Sequence, residues 1–224
     1  LERFLHPADN VQWTLQGALS EPITTTIDPV FGRLNDDTGW PNVEGRIALG
    51  LGYLEGVGPT AKRPFEVGVS GIAGKIRSLE IGVRQEETDV WGIGADFRWQ
   101  MTKGFGLMGE VFTGQALGTY NGGILQTTNS DTFDGIRATG GWMEAFMYWT
   151  PCLHSHIGYG IDDPIDREVV ATGPVYNSTI YGNLLWDINQ TFRVGFELTW
   201  RETNYLVLPD KEAAGFHTQF QWSF

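Results

Sequence analysis

Charged side chains recur at every second position inside otherwise apolar stretches of this chain. Glu44 and Arg46 follow that spacing, as do Asp96 and Arg98; Arg193, Glu197 and Arg201 keep the same parity within one run, and Asp187 across the turn before it. Glu66, Glu110 and Glu144 sit alone in the same kind of setting. Residues two apart on a strand project to one face. Rows of guanidinium and carboxylate on facing walls would set up a transverse field that chooses among permeating ions. The same groups could instead pair across neighbouring strands and fill the interior. Four arginines stand against seven carboxylates in this set, so a mild preference for cations is the expectation.

A second group invites a catalytic reading. His154, Ser155 and His156 lie close in sequence to Asp162 and Asp163, and nucleophilic catalysis needs a nucleophile, a base and an orienting group within hydrogen-bond reach. The two histidines fall in or beside a short turn, whereas Asp162 sits well up the strand. His6 lies before the first expected strand and His217 in a polar row. No nucleophile–base pair follows from these spacings, and no catalytic residue or enzyme is expected.

Acidic loop clusters are the remaining candidates: Asp36-Asp37, Asp131 and Asp134, and Asp162-Asp163 with Asp166. None has the alternating oxygen ligands and distal Glu of a calcium loop, so they read as solvated acids and no metal or cofactor is expected. Gly92-x-Gly94 has no following helix to hold a phosphate. Cys152, beside Pro151 in a tight turn, reads as an incidental thiol, and a single cysteine excludes an internal disulfide.

Charge and composition exclude further classes. The net charge of -12 with no basic run argues against binding nucleic acid. An aromatic content of 13% is foreign to disordered chains. No run of about 18 apolar residues could form a membrane-spanning helix. The chain opens Leu1-Glu2-Arg3 and reads as a mature protein or a piece of a longer one.

The elements that must carry the charged rows are strands. Phe216, Thr218, Phe220, Trp222 and Phe224 alternate with His217, Gln219, Gln221 and Ser223, giving one apolar and one polar face. The same period runs through 43–53, 91–99, 180–188 and 193–201, and more weakly through 10–19, 65–73, 105–116, 138–149 and 155–162. That makes about ten strands and no convincing helix. Glycines on them, including Gly50, Gly52, Gly92, Gly94, Gly158 and Gly160, read as gaps in the inward face.

Connector lengths alternate. Segments 20–42, 74–87, 117–135, 163–175 and 204–213 are long, whereas 101–104, 150–154 and 189–191 are short and 55–63 somewhat longer. Long loops at one end and short turns at the other are the habit of outer-membrane barrels, not of Greek-key sandwiches. Aromatics gather at the short-turn ends (Tyr53, Trp99, Phe105, Trp149, Trp222), with Trp91 and Phe216 toward the other end, as two interfacial belts would require. A soluble sandwich could not bury the mid-strand charges cheaply. The expected fold is all-β: an antiparallel transmembrane β-barrel.

The aromatic last strand ending in Phe224 resembles that of bacterial outer-membrane proteins, where the final aromatic is part of the signal read by the barrel-assembly machinery. Gly158-Tyr159-Gly160-Ile161-Asp162-Asp163-Pro164, Asn183-Leu184-Leu185-Trp186-Asp187 and Arg193-Val194-Gly195-Phe196-Glu197 resemble the C-terminal part of large planctomycete and proteobacterial porins, DcaP-like in outline. Pro7-Ala8-Asp9-Asn10-Val11-Gln12-Trp13-Thr14-Leu15 looks like an internal strand of those proteins.

The resemblance implies a Gram-negative-type outer membrane, contact with lipid and lipopolysaccharide, trimerisation, and passive diffusion of small hydrophilic solutes or ions. Glu44, Arg46, Glu66, Asp96, Arg98, Glu110, Glu144, Asp187, Arg193, Glu197 and Arg201 would line the pore. Porins of that kind are longer, about 16 strands, so the chain is either the C-terminal part of a larger barrel, which is favoured, or a complete ten-stranded one. Infolding of 20–42 or 117–135 would set the constriction. A non-conducting structural or adhesive barrel and an omptin- or lipase-like barrel enzyme are the rival expectations.

Overall fold

Period-two alternation is realised as strand along most of the described residues. The computed structural model describes residues 1–21, 40–55, 62–77 and 87–223. Its strands are β1 (Glu2–Ala8), β2 (Val11–Ser20), β3 (Asn42–Leu51), β4 (Phe65–Arg77), β5 (Glu87–Gln100), β6 (Phe105–Gln115), β7 (Arg137–Thr150), β8 (Leu153–Pro164), β9 (Pro174–Asp187), β10 (Phe192–Tyr205) and β11 (Lys211–Trp222). They form one 11-stranded antiparallel meander in chain order. Among the described residues the sheet is open: β1 pairs with β2 alone and β11 with β10 alone.

The count is eleven rather than about ten because β1 has no clean alternation. It contains Pro7, every residue in it is exposed, and its register slips between Leu5 and Ala8. Proline is tolerated on an edge strand or at a bulge, which is where Pro7 sits. His6 therefore lies on a strand, where its Nε2 meets Gln12 Oε1 at 3.1 Å. Gly52 is also corrected: it has φ +95° beyond the end of β3, so it makes a turn rather than a gap in the wall. Phe216 sits mid-strand opposite Leu198, not toward a strand end.

Short turns close one end with local side-chain caps. Asp9-Asn10 joins β1 to β2. Thr102 Oγ1 accepts from the Gly104 and Phe105 amides at 3.2 and 3.0 Å, and Asn189 Oδ1 from the Thr191 and Phe192 amides at 2.9 Å each. These are the local bonds by which Asn and Thr favour turns. Most of the longer connections lie at the other end, among them 116–136 and 165–173, which contain three short 3-10 turns (Leu117–Tyr120, Gly123–Leu125 and Asp166–Glu168), whereas 52–64 joins β3 to β4 at the short-turn end.

Register puts apolar and small side chains in continuous rows across one face. One row runs Leu15, Ile47, Val69, Ala95, Val111, Gly141 and Ile161. Many of these side chains are exposed, Val69 at 56% and Ile93 at 58%. A monomeric soluble protein rarely leaves such a continuous band uncovered. The hydrophobic core cluster among the described residues lies on the opposite, charged face. Ile76 and Val90 from β4 and β5 meet Ala116 and Leu117, with Ile72, Phe112 and Tyr120 packed around them.

Candidate functional site

All eleven charged residues singled out from the sequence share the face opposite the apolar band, as the register rows show. One row is Gly68, Asp96, Glu110, Trp142, Gly160, Thr179 and Arg201; another contains Arg46, Ser70, Gly94 and Phe112. Asp187 and Arg193 stand opposite each other near the short-turn end.

Their pairing is uneven. Arg46 binds Asp96 through Nε at 2.9 Å and Nη2 at 2.5 Å, and the same Nη2 reaches Glu66 at 2.9 Å. Arg193 and Asp187 form a two-point pair at 2.5 and 3.1 Å. Of the rest, Glu44, Glu197 and Arg98 meet neutral groups. Glu44 accepts from the Ser20 hydroxyl, and Glu197 from Asn183 Nδ2 at 3.4 Å. Arg98 donates to the Arg63 carbonyl and to Gln100, and lies 5.3 Å over the Phe146 ring. Glu110 and Arg201 are exposed on this face.

Glu144 is 7% exposed and anchors a network that spacing alone did not reveal. Its carboxylate takes the Tyr181 hydroxyl proton donor on one oxygen and His156 Nδ1 at 2.7 Å on the other. His156 Nε2 lies 3.1 Å from His154 Nδ1, and His154 Nε2 faces Asp187 at 3.9 Å. Tyr148 stacks on His154. The two histidines thus join Glu144 and Asp187 on one face, whereas Asp162 is occupied elsewhere. Glu144→Ala is expected to cost about 2 kcal/mol by removing the shared acceptor of two half-buried polar partners, against about 1 kcal/mol for Tyr181→Phe; denaturant unfolding in detergent measures both.

Connection 116–136 folds onto the charged face and is tied to both flanks. Toward β2 and β3, Asn42 Nδ2 donates to the Tyr120 hydroxyl at 2.7 Å, and that hydroxyl lies 3.3 Å from Ser20 Oγ. Toward β8 and β9, the Asp162 carboxylate accepts from the Gly123 and Ile124 amides at 3.1 and 2.7 Å, and Gln126 Nε2 donates to the Pro174 carbonyl at 2.8 Å. Gly92 and Gly114 leave room for Leu117 against the wall: a Cβ at Gly114 would collide with the Trp91 carbonyl and lie 2.7 Å from Leu117 Cδ1. Residues 22–39, and with them Asp36-Asp37 and most of the other loop expected to fold inward, lie outside the described residues.

A further tie joins 116–136 to the next connection. Asn129 Nδ2 donates to the Glu168 carbonyl at 3.1 Å, and the Glu168 carboxylate receives the Arg137 amide and Nε at 2.9 Å each. The Arg137 side chain, first of all, holds the Glu168 carboxyl below its ordinary range. A carboxyl depressed in the folded state contributes stability above its ordinary value of 4.5 and loses it as pH falls through the folded value. Amide exchange in 127–137 is therefore expected to speed up below that value in the native chain. In Glu168→Gln it should be fast and nearly pH-independent beyond the intrinsic chemistry.

The aromatics expected at the membrane interfaces lie at, just beyond or toward strand ends. Tyr53, Trp99, Phe105, Trp149 and Trp222 are at the short-turn end and Trp91 toward the other. Tyr176, whose hydroxyl meets that of Tyr159 at 3.2 Å, adds an aromatic at the long-loop end. Phe224 lies outside the described residues. No three His, Cys, Asp or Glu side chains converge as a metal site among the described residues.

No protein-family model matches the chain, and no curated protein does. Solved structures that share its fold include two outer-membrane channels. The outer-membrane channel DcaP of Acinetobacter baumannii superposes with a TM-score of 0.71 at 11% identity, over 100% of this chain and 61% of that one. An anion-selective porin from Comamonas acidovorans superposes with a TM-score of 0.54 at 10% identity, over 99% of this chain and 57% of that one. The chain thus has the fold of an outer-membrane channel barrel, and it spans about three fifths of the length of the channels it matches.

Proposed function

We propose that this chain forms wall of an outer-membrane porin through which small hydrophilic solutes or ions diffuse passively. The observation that carries the reading is the division of one sheet into an exposed apolar face and a charged face onto which connection 116–136 folds. An apolar band suits lipid, and a polar lumen accommodates the charges. The outer edges of β1 and β11, unpaired among the described residues, support a barrel of more strands than these eleven. The eleven charged residues line the pore, with 116–136 as its constriction. Tyr53, Trp91, Trp99, Phe105, Trp149 and Trp222 mark the membrane interfaces, and Phe224 serves the barrel-assembly machinery. Lipid and lipopolysaccharide surround the barrel, and the assembly is a homo-oligomer, trimeric as the porin resemblance implies.

Uncompensated Glu44, Glu110 and Glu197 against Arg98 and Arg201 favour cations. Single-channel recording of the full-length native protein in a planar bilayer under a salt gradient tests both points. Stepwise openings of constant size with a reversal potential toward the cation Nernst value are expected. A folded, inserted protein that never conducts would sink the pore reading and leave a structural or adhesive barrel.

A further inference from the structure

The charged face is hollow over β2–β7. Ser70, Gly92 and Gly94 stand where larger side chains would fill the wall, and a cavity of about 740 Å³ opens over them, within the range of small-molecule sites, about 300–1,000 Å³. The infolded turn bounds it with Leu117 and Tyr120. Its wall charges do not cancel. The Arg46 guanidinium is already bound by both Glu66 and Asp96, so that group of three carries one excess negative charge. Glu44 meets a neutral hydroxyl, and Glu110 meets no cation among the described residues. Directly across the strand pair from Glu110 stands Trp142, 39% exposed on the same face, with Phe112 in the adjoining row.

We propose that this hollow is a binding subsite for a small organic cation, an ammonium carrying a compact apolar or aromatic body. The ammonium lies between the Glu110 carboxylate and the Trp142 ring, where a carboxylate and a π face both attract a cation. The apolar body lies against Phe112 and Leu117, over a floor that glycine keeps open. An anion of the same shape meets excess negative charge and is rejected. The inference rests on the channel reading only for the route by which the solute arrives.

Titration calorimetry of the full-length protein in detergent micelles, with phenyltrimethylammonium and with benzenesulfonate, tests it. Saturable binding of the cation alone is expected. Glu110→Gln, at an exposed position, should weaken it about fivefold, and Trp142→Ala about three- to thirtyfold. Trp142→Phe, which keeps a ring, should restore most of the affinity. Equal binding of the two probes, or unchanged affinity in both Glu110→Gln and Trp142→Ala, overturns the subsite. Conductance of the same preparation separates the two claims. A protein that conducts but does not bind the cation loses the subsite and keeps the pore. One that binds but never conducts keeps the subsite and loses the pore.

Discussion

Asp162→Ala is expected to release connection 116–136 from the far flank of the charged face and raise single-channel conductance. The Asp162 carboxylate accepts from two consecutive backbone amides of that connection. Hydrogen bonds to a charged acceptor are worth about 1.5–3 kcal/mol each; partial exposure of Asp162 reduces the pair to about 2–4 kcal/mol. Local opening of the connection should then rise by about 30- to 1,000-fold. The release is favoured further because Ile124 is held at φ 52° and Leu125 at φ 62°, a left-handed conformation that costs a β-branched residue dearly. Faster amide exchange at Gln126 and noisier, larger current steps are the readouts. Asp163→Ala, one residue on and facing the other side, should change neither. Unaltered exchange and conductance in Asp162→Ala would mean that the carboxylate does not hold the connection in place.

Ile93→Arg should block insertion or destabilise the inserted protein by about 2–4 kcal/mol, the cost of an arginine on the lipid face near mid-bilayer. Ile93 is near the centre of β5, 58% exposed on the apolar face between Gly71 and Thr113. Ser70→Lys, at neighbouring depth on the charged face and opposite Arg46, should fold and insert normally, since a lumen-facing position tolerates charge. Folding into lipid vesicles, followed by urea unfolding, compares the two. If Ile93→Arg inserts as well as the native chain while Ser70→Lys does not, the assignment of faces is reversed. The comparison reads the membrane without reference to conduction.

These two substitutions probe different depths of sequence information. That Ile93 and Ser70 face opposite ways is legible from alternation, because a pleated strand has no other way to place successive side chains. The segregation of Glu44, Arg46, Asp96, Arg98, Glu110 and Glu144 to one face is legible for the same reason. So was the alternation of connections between the two ends, since antiparallel neighbours joined in chain order must alternate ends. β1 escaped because Pro7 and a bulge break the period that makes a strand visible.

Which charges neutralise each other depended on register and shear between strands. Glu66 stands opposite Arg98 in the ladder yet binds Arg46, a diagonal that no reading of spacing within one strand can supply. The joining of His156 with Glu144 and Tyr181 brings together three strands. The anchoring of 116–136 by Asn42 and Asp162 likewise draws on residues far away in the chain, and an irregular connection has no period from which its path could be read. The sequence by itself determined the strands, their two faces and the ends at which the loops emerge, because those follow from local geometry. Tertiary structure alone decided which carboxylates stay unpaired, where the wall is hollow and what lies across it, because those depend on contacts between segments that only folding brings together.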